Sequence, residues 1–336
     1  MGTVKKGLWA IFLAPALLLL LNSVVSGYEL TQEQGREISF RAGQLLSVWL
    51  QSGEVRVHRL SRGKPHVRIK KWVEAATQKR AEERLAQLTL DFSVTDSGLD
   101  IRQMDRSTRL PLGGLLRSAG LVRPGASKII LELFLPRRAS LRVVQKAGLV
   151  RIDSLQGNVE VRLERGKLRL RHQMADKVDL RLGAVDARLL NVYGPPDGEL
   201  YVAAEQKRGR LVLRNCRIYR LVVRSNDGDV FLVGNRLVQG DVQTESGDIF
   251  LRPRLRSTRF LLCQTKSGDF FVKLAPYPAC RLVAETGLGR IFSPYAWKPV
   301  HRGGGETLRL SNADRPEIRL ISEIGDIFIQ PLRRGR

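Results

Sequence analysis

Three aspartates follow glycines at nearly constant spacing: Gly228-Asp229, Gly247-Asp248 and Gly268-Asp269. A further pair, Gly325-Asp326, stands closer to the C-terminus. Carboxylates recurring on one face of stacked strands lie about 5 Å apart, the separation of the acid pair in a retaining glycosidase. The same row could hold a cation. A third chemistry is simpler: Asp accepts hydrogen bonds from nearby backbone amides in turns. Like charges on adjacent strands repel unless each is bonded or countered, which favours the third. The Gly-Gly-x-Gly-x-Asp calcium repeat is absent. Nothing marks a sugar cleft, so no catalytic, cofactor or metal residue is assigned.

The elements that carry this row form an internal repeat over residues 221–292. Its units are Ser225-Asn226-Asp227-Gly228-Asp229-Val230-Phe231, Thr244-Glu245-Ser246-Gly247-Asp248-Ile249-Phe250 and Thr265-Lys266-Ser267-Gly268-Asp269-Phe270-Phe271. A fourth, Thr286-Gly287-Leu288-Gly289-Arg290-Ile291-Phe292, replaces the Asp by Arg290. The glycines at 228, 247, 268 and 289 give intervals of 19, 21 and 21 residues. A period near 20 predicts stacked strand–turn–strand units, an all-β, β-solenoid-like fold. Glycine would supply positive φ at each turn. Leu221, Val223 and Ser225, with their counterparts in later units, predict the inward face. Arg224, Gln243, Gln264 and Glu285 predict an outward polar column.

Phe231, Phe250, Phe271 and Phe292 fall on the outward face, one per unit, with Phe328 as a later echo. Stacked in register they would lie about 4.7–4.9 Å apart. Three readings follow: a ladder that stabilises stacking, an apolar stripe that meets a partner, or a surface covered by the N-terminal region.

Lys5 and Lys6, the apolar run 8–21 and the small residues Val25-Ser26-Gly27 read as a signal peptide, residues 1–27, cleaved after Gly27. An uncleaved anchor is the alternative. The chain is then expected in the periplasm, at the cell surface or secreted. Residues 28–140 read as an N-terminal β region with one amphipathic helix at 74–88, and residues 141–332 as the repeat domain. Residues 46–57 read as a first copy, two short strands around Ser52-Gly53. Residues 90–94 and 99–102 make a hairpin, 107–124 and 295–305 are loops, and 317–329 is a closing strand pair. Residues 333–336 are a basic tail.

The formal charge is +24, and loss of Lys5 and Lys6 leaves +22. Such a chain attracts anionic polymers of the envelope, and export argues against nucleic acid. The basic residues are spread along every strand, so they predict a solvated outer face as readily as a patch. Cys216, Cys263 and Cys280 are odd in number, so at least one thiol stays unpaired within the chain. Cys263 falls in the inward column, and a Cys263–Cys280 bridge is not expected. His58, His66, His172 and His301 lack metal spacing.

With these residues in view, the chain resembles the bacterial putative adhesin family of β-strand repeat proteins, also called domain of unknown function 4097. The resemblance rests on Phe40-Arg41-Ala42-Gly43 leading to Leu50-Gln51-Ser52-Gly53-Glu54-Val55-Arg56-Val57. It continues through the helix at 74–88, Leu133-Phe134-Leu135-Pro136, Leu141-Arg142-Val143 and the Ser-Gly-Asp repeats. It covers nearly all of the mature chain and implies an exported, non-enzymatic β-solenoid. The departures, at 170–208 and at Arg290, predict irregular stacking in both places. The leading expectation is a cell-envelope binding, adhesin-like or structural module. Its partners would be an anionic envelope polymer, another envelope protein or a second copy. The alternatives are a polysaccharide-acting enzyme and a self-associating scaffold.

Overall fold

The computed structural model describes residues 28–105, 126–196, 198–275, 278–294, 299–302, 304–311 and 316–332. The expected signal segment, the loop at 107–124 and the basic tail lie outside the described residues. The chain opens with β1 (Tyr28–Glu37), β2 (Leu45–Arg59) and β3 (His66–Ala75), then one helix, α1 (Gln78–Gln87). Next come β4 (Leu88–Thr95), β5 (Gly98–Asp105) and β6 (Ser127–Leu135). Five long strands follow: β7 (Ser140–Asp153), β8 (Val159–Arg171), β9 (Lys177–Leu190), β10 (Tyr201–Arg214) and β11 (Arg217–Val233). Shorter strands then alternate: β12 (Arg236–Ser246), β13 (Ile249–Arg252), β14 (Phe260–Ser267), β15 (Phe270–Leu274), β16 (Arg281–Leu288) and β17 (Ile291–Phe292). The last are β18 (Val300–Arg302), β19 (Gly305–Ser311), β20 (Glu317–Ile324) and β21 (Ile327–Pro331). All belong to one sheet.

The fold is an all-β, solenoid-like stack. Rungs pair parallel and in register, so each sequence position becomes a column along the stack. One inward column runs Val48, Val143, Val161, Leu180, Ala204, Val223 and Val242. It continues as Cys263, Leu320 and Ala284. Every member is buried. Small and β-branched side chains suit this axis, because they pack on a pleated surface at little rotamer cost. The rungs β7 to β11 each end in a corner held by one left-handed residue: Ser154, His172, Asn191, Asn215 and Gly234, with φ between 51° and 65°. Ser, His and Asn reach this region at modest cost and glycine at none.

The glycine of the motif is a bend rather than a turn. Residues on both sides of Gly166 pair with the same strand, Arg162 with Arg181 and Lys167 with Asp186. Residues 46–57 likewise lie in one strand, β2, bent at Gly53. Gly228, Gly247 and Gly268 do not have left-handed φ. What requires glycine there is the neighbouring backbone. A Cβ on Gly247 would lie 2.5 Å from the carbonyl oxygen of Gly228, and one on Gly268 2.3 Å from that of Gly247. In β9 the buried Val185 takes the column position, and Gly183 makes the close approach, where a Cβ would lie 2.1 Å from the Glu164 oxygen. Apart from that shift and the insertion between β9 and β10, stacking continues in register through 170–208.

The order of rungs differs from the order of sequence at both ends. β20 pairs with β14 on one side and β16 on the other, and β21 likewise enters between β15 and β17. The closing strands are therefore an internal rung. At the other end β2 lies between β7 and a rung made of β5 and β6. The sheet is thus continuous across residue 140. Antiparallel strands cover both ends: β3 on β6, β1 on β3, β4 on β5, and β19 on β16 with β18 beyond it. Val300–Arg302, expected as loop, is that last strand. The helix is shorter than 74–88 because Glu74 and Ala75 pair with β1 and Leu88 pairs with Asp105. Thr77 caps it, its Oγ1 accepting from the Arg80 amide at 3.4 Å.

Gly247→Ala forces backbone against backbone, a strain of about 1–3 kcal/mol. Its thermal unfolding midpoint is expected several degrees below the parent, whereas Gly35→Ala, with nothing within 4 Å, leaves it unchanged. Ending the chain after residue 315 removes the rung between β14 and β16. Hydrogen exchange should then lose protection across 281–292 while 159–233 keeps it. Unchanged protection in 281–292 would contradict the intercalated order.

Candidate functional site

The Asp row is committed to the backbone. Asp229 Oδ1 accepts from the Asp248 amide at 3.2 Å, Asp248 Oδ1 from the Asp269 amide at 2.9 Å, and Asp269 Oδ1 from the Asp326 amide at 2.8 Å. Asp326 Oδ1 accepts from the Arg290 amide at 2.8 Å. Each carboxylate therefore serves the next rung rather than its own bend. Arg290 marks the end of this run: its amide is served, and it has no carboxylate with which to accept from another. Asp186 plays the same part for the Arg210 amide at 3.2 Å. A hollow of about 440 Å³ lies beside the start of this row, lined by Asp186, Asp229 and Gly247 among others. Asp227 at its rim pairs with Arg208 at 3.1 Å. Among the described residues no three His, Cys, Asp or Glu side chains gather to hold a metal ion.

A second polar column lies inside, at inward positions that the sequence predicts to be small or apolar. Ser225 Oγ donates to the Gly228 carbonyl, Thr244 Oγ1 to that of Gly247 and Thr286 Oγ1 to that of Gly325. Ser322 Oγ donates to the Gly268 carbonyl. Gln206 does the same work in β10, its Nε2 donating to the carbonyls of Val185 and Arg208. A bend turns carbonyls out of the ladder, and a buried carbonyl needs a donor. The Ser or Thr three residues before each motif glycine was the available signal.

The phenylalanines stack in the order 231, 250, 271, 328, 292. Ring centroids are 4.2, 4.7, 5.2 and 4.9 Å apart and planes within 9° of parallel. Phe328 is thus an internal member, placed there by the intercalated rung. The first four rings are half-buried and Phe292 is 44% exposed. The N-terminal strands do not pair beyond β7, so β8 to β10 separate them from this ladder. The same column changes character toward the N-terminus. Val212 follows Phe231, and then Arg188, Arg169, Arg151 and Arg56 occupy it. Arg210 holds its guanidinium 5.3 Å from the Phe231 ring.

An open groove of about 1220 Å³ follows the outside of the bend across β2 and β7 to β11. Three columns line it. Arg162, Arg181 and Arg224 come from one, Lys146 and Lys207 from the next, Arg165 and Arg208 from the third. Glu164 and Glu205 are its only acids, and Trp49 stands at one end, 38% exposed, with Arg102 at 5.5 Å from its ring. Gly183 and Ala184 place no long side chain in its middle. These cations come from rungs 18 to 24 residues apart and converge only through register. That is why a charge count along the sequence saw them as dispersed.

Cys216, Cys263 and Cys280 are unpaired and buried. Burial pushes the Cys216 and Cys280 thiols up to about 11, and raises Cys263 further still. They are core residues with no nucleophilic character.

No protein-family model matches the chain, and no curated protein matches it in sequence. Its likeness is to solved structures. One, from Parabacteroides merdae, is described as a "putative adhesin"; identity is 11%, coverage 90% of this chain and 96% of that one, and the TM-score 0.49. Another so described, from Bacteroides fragilis, shares 12% identity with 90% and 97% coverage and a TM-score of 0.42. A "putative lipid binding protein" from Parabacteroides distasonis shares 12% identity with 88% and 96% coverage and a TM-score of 0.40.

Each cross-rung aromatic pair contributes about 0.2–1 kcal/mol. Phe250→Ser with Phe271→Ser breaks three such contacts and is expected to lower the thermal midpoint by several degrees. Phe292→Ser, at the exposed end of the ladder, should shift it by no more than about a third as much.

Proposed function

We propose that this chain is an exported, non-enzymatic module of the cell envelope that binds through its long outer faces, in the manner of an adhesin. The observation that carries this reading is the commitment of the Asp row. Acids 229, 248, 269 and 326 each accept a neighbouring backbone amide, so this regular carboxylate array is structural. What remains outside is extended surface: a phenylalanine stripe over five rungs and a cationic groove over six. A stack of rungs offers a long contact face without an enclosed cavity. The phenylalanine stripe, Phe231 to Phe292, is the face assigned to a protein partner, because contiguous half-exposed apolar surface favours contact. The signal-like segment at 1–27 supports export.

The test is fractionation of the expressing cell, followed by co-sedimentation of the purified protein with isolated envelopes. The protein is expected in the envelope or outside the cell, and envelopes should retain it without releasing soluble sugar. Asp248→Asn keeps an amide-accepting oxygen, so retention and unfolding midpoint should both match the parent. Asp248→Ala removes it and should cost about 1 kcal/mol of stability. Mature protein in the cytoplasm, or sugar release abolished by Asp248→Asn, would overturn the reading.

A further inference from the structure

The groove along the bend gathers seven cations against two acids, and among the described residues three of the seven are ion-paired: Arg162 with Glu160, Arg208 with Asp227 and Arg224 with Asp241. Neighbouring rungs pair charges outside the groove too: Arg142 with Glu160 at 2.7 Å and Lys266 with Glu245 at 3.3 Å. Burial opposes ionisation of Glu160, yet Arg142 and Arg162 outweigh it and hold the carboxyl below its ordinary value. In the groove, Arg181 sits directly opposite Arg162 in one adjacent rung and Glu205 in the other. Among the described residues, Lys146, Arg165, Arg181 and Lys207 form no ion pair. Like charges opposite one another on neighbouring strands are destabilising. A fold that keeps them concave and unpaired is built for an anion from outside.

We propose that this groove binds a linear acidic polysaccharide, laid along the stack with its anionic groups on Arg165, Arg181 and Lys207. The inference goes beyond the phenylalanine face, uses a different surface and stands if that assignment fails. The groove crosses five inter-rung steps of about 4.8 Å, roughly 24 Å, and is open at the top, so it suits a chain rather than a small molecule. Asn226, Glu164 and Glu205 stand among the cations, offering hydroxyl partners that a bare polyphosphate would not use. Trp49 is the groove's one aromatic residue, which gives a sugar ring a face at one end. Single-stranded nucleic acid binds on a series of aromatic platforms, and no such series lines this groove. A bilayer surface is too broad to enter it. The segment 106–125, which follows Gln103 at the groove's rim, carries four arginines and no acid. It is therefore not a counter-charge for this surface.

The test titrates the purified protein with polygalacturonate and with heparin, one carboxylated and one sulfated, at about 0.15 M salt. Neutral dextran, single-stranded oligothymidylate and phosphatidylglycerol vesicles are the rivals. At least one acidic glycan is expected to bind and dextran is not; the stronger of the two tells carboxylate from sulfate preference. Arg165→Ser/Arg181→Ser/Lys207→Ser should weaken that binding about tenfold or more. Arg169→Ser/Arg188→Ser/Arg252→Ser removes the same charge from another outer face and should stay within about threefold of the parent. Both triple variants alter exposed or half-exposed side chains and should keep the parent unfolding midpoint. Equal losses in the two variants would reduce the effect to net charge and overturn the site. Failure of both acidic glycans to bind would overturn the ligand class. So would oligothymidylate or vesicles binding more tightly than either glycan and losing that binding in the groove variant.

Discussion

A column of glycines, broken at Val185 in β9, sets the geometry of this molecule, most of them lying against the carbonyl of the glycine in the neighbouring rung. The contact leaves no room for a Cβ: at Gly148 it would stand 1.8 Å from the Gly53 oxygen, at Gly325 2.2 Å from the Gly268 oxygen. Strands that approach so closely at one point must stay in register on both sides of it. The bend then turns backbone groups out of the ladder, and each needs a partner. Inside, Ser, Thr and Gln side chains supply donors to the carbonyls. Outside, Asp supplies acceptors to the amides of the next rung. The motif Ser/Thr-x-x-Gly-Asp is therefore one device: a steric vacancy flanked by its two hydrogen-bonding remedies.

Closure of the stack follows a different logic. A row of parallel rungs exposes unpaired edges at both ends, and such edges invite association. Here each terminal region solves the problem in the same way. An antiparallel cover is laid over the end, and a rung distant in sequence is threaded beneath it: β2 under β5 and β6, β20 and β21 under β16 and β17. The C-terminal rung is consequently the piece that joins β14 to β16, and the stack between them cannot form until the chain is complete. Non-local closure of this kind carries a large loop entropy and favours late assembly.

Periodicity made much of this legible. Alternation in 221–292 predicted the inward columns, the in-register stack and the row of rings, because side-chain direction follows from strand geometry alone. Three things were not legible. The place of β20 was hidden because its motif, Gly325-Asp326-Ile327-Phe328, resembles every other rung, so nothing local distinguishes a following rung from an inserted one. The role of the Asp side chains was read within one bend, whereas their partners lie 19 to 57 residues away. The groove was invisible because Arg165, Arg181 and Lys207 share no local pattern and meet only through register.

Register also explains why the outer surface divides into faces. Identical side chains in one column are neighbours at about 4.8 Å, so any column of like residues must resolve its own self-interaction. The phenylalanines resolve it by stacking, within 9° of parallel. The aspartates resolve it by giving one oxygen to an amide in the next rung. Arg142, Arg162 and Arg224 resolve it with carboxylates of their own or a neighbouring rung. Arg181, Arg165 and Lys207 come from three different columns and, among the described residues, form no ion pair, although Glu205 is the strand neighbour of Arg181. What sets these three apart from a solvated basic surface is where they lie: in one groove along the bend, beside groups that bond hydroxyls. The net charge of the chain attracts any polyanion to any face, whereas this arrangement fixes where along the stack a particular one would lie.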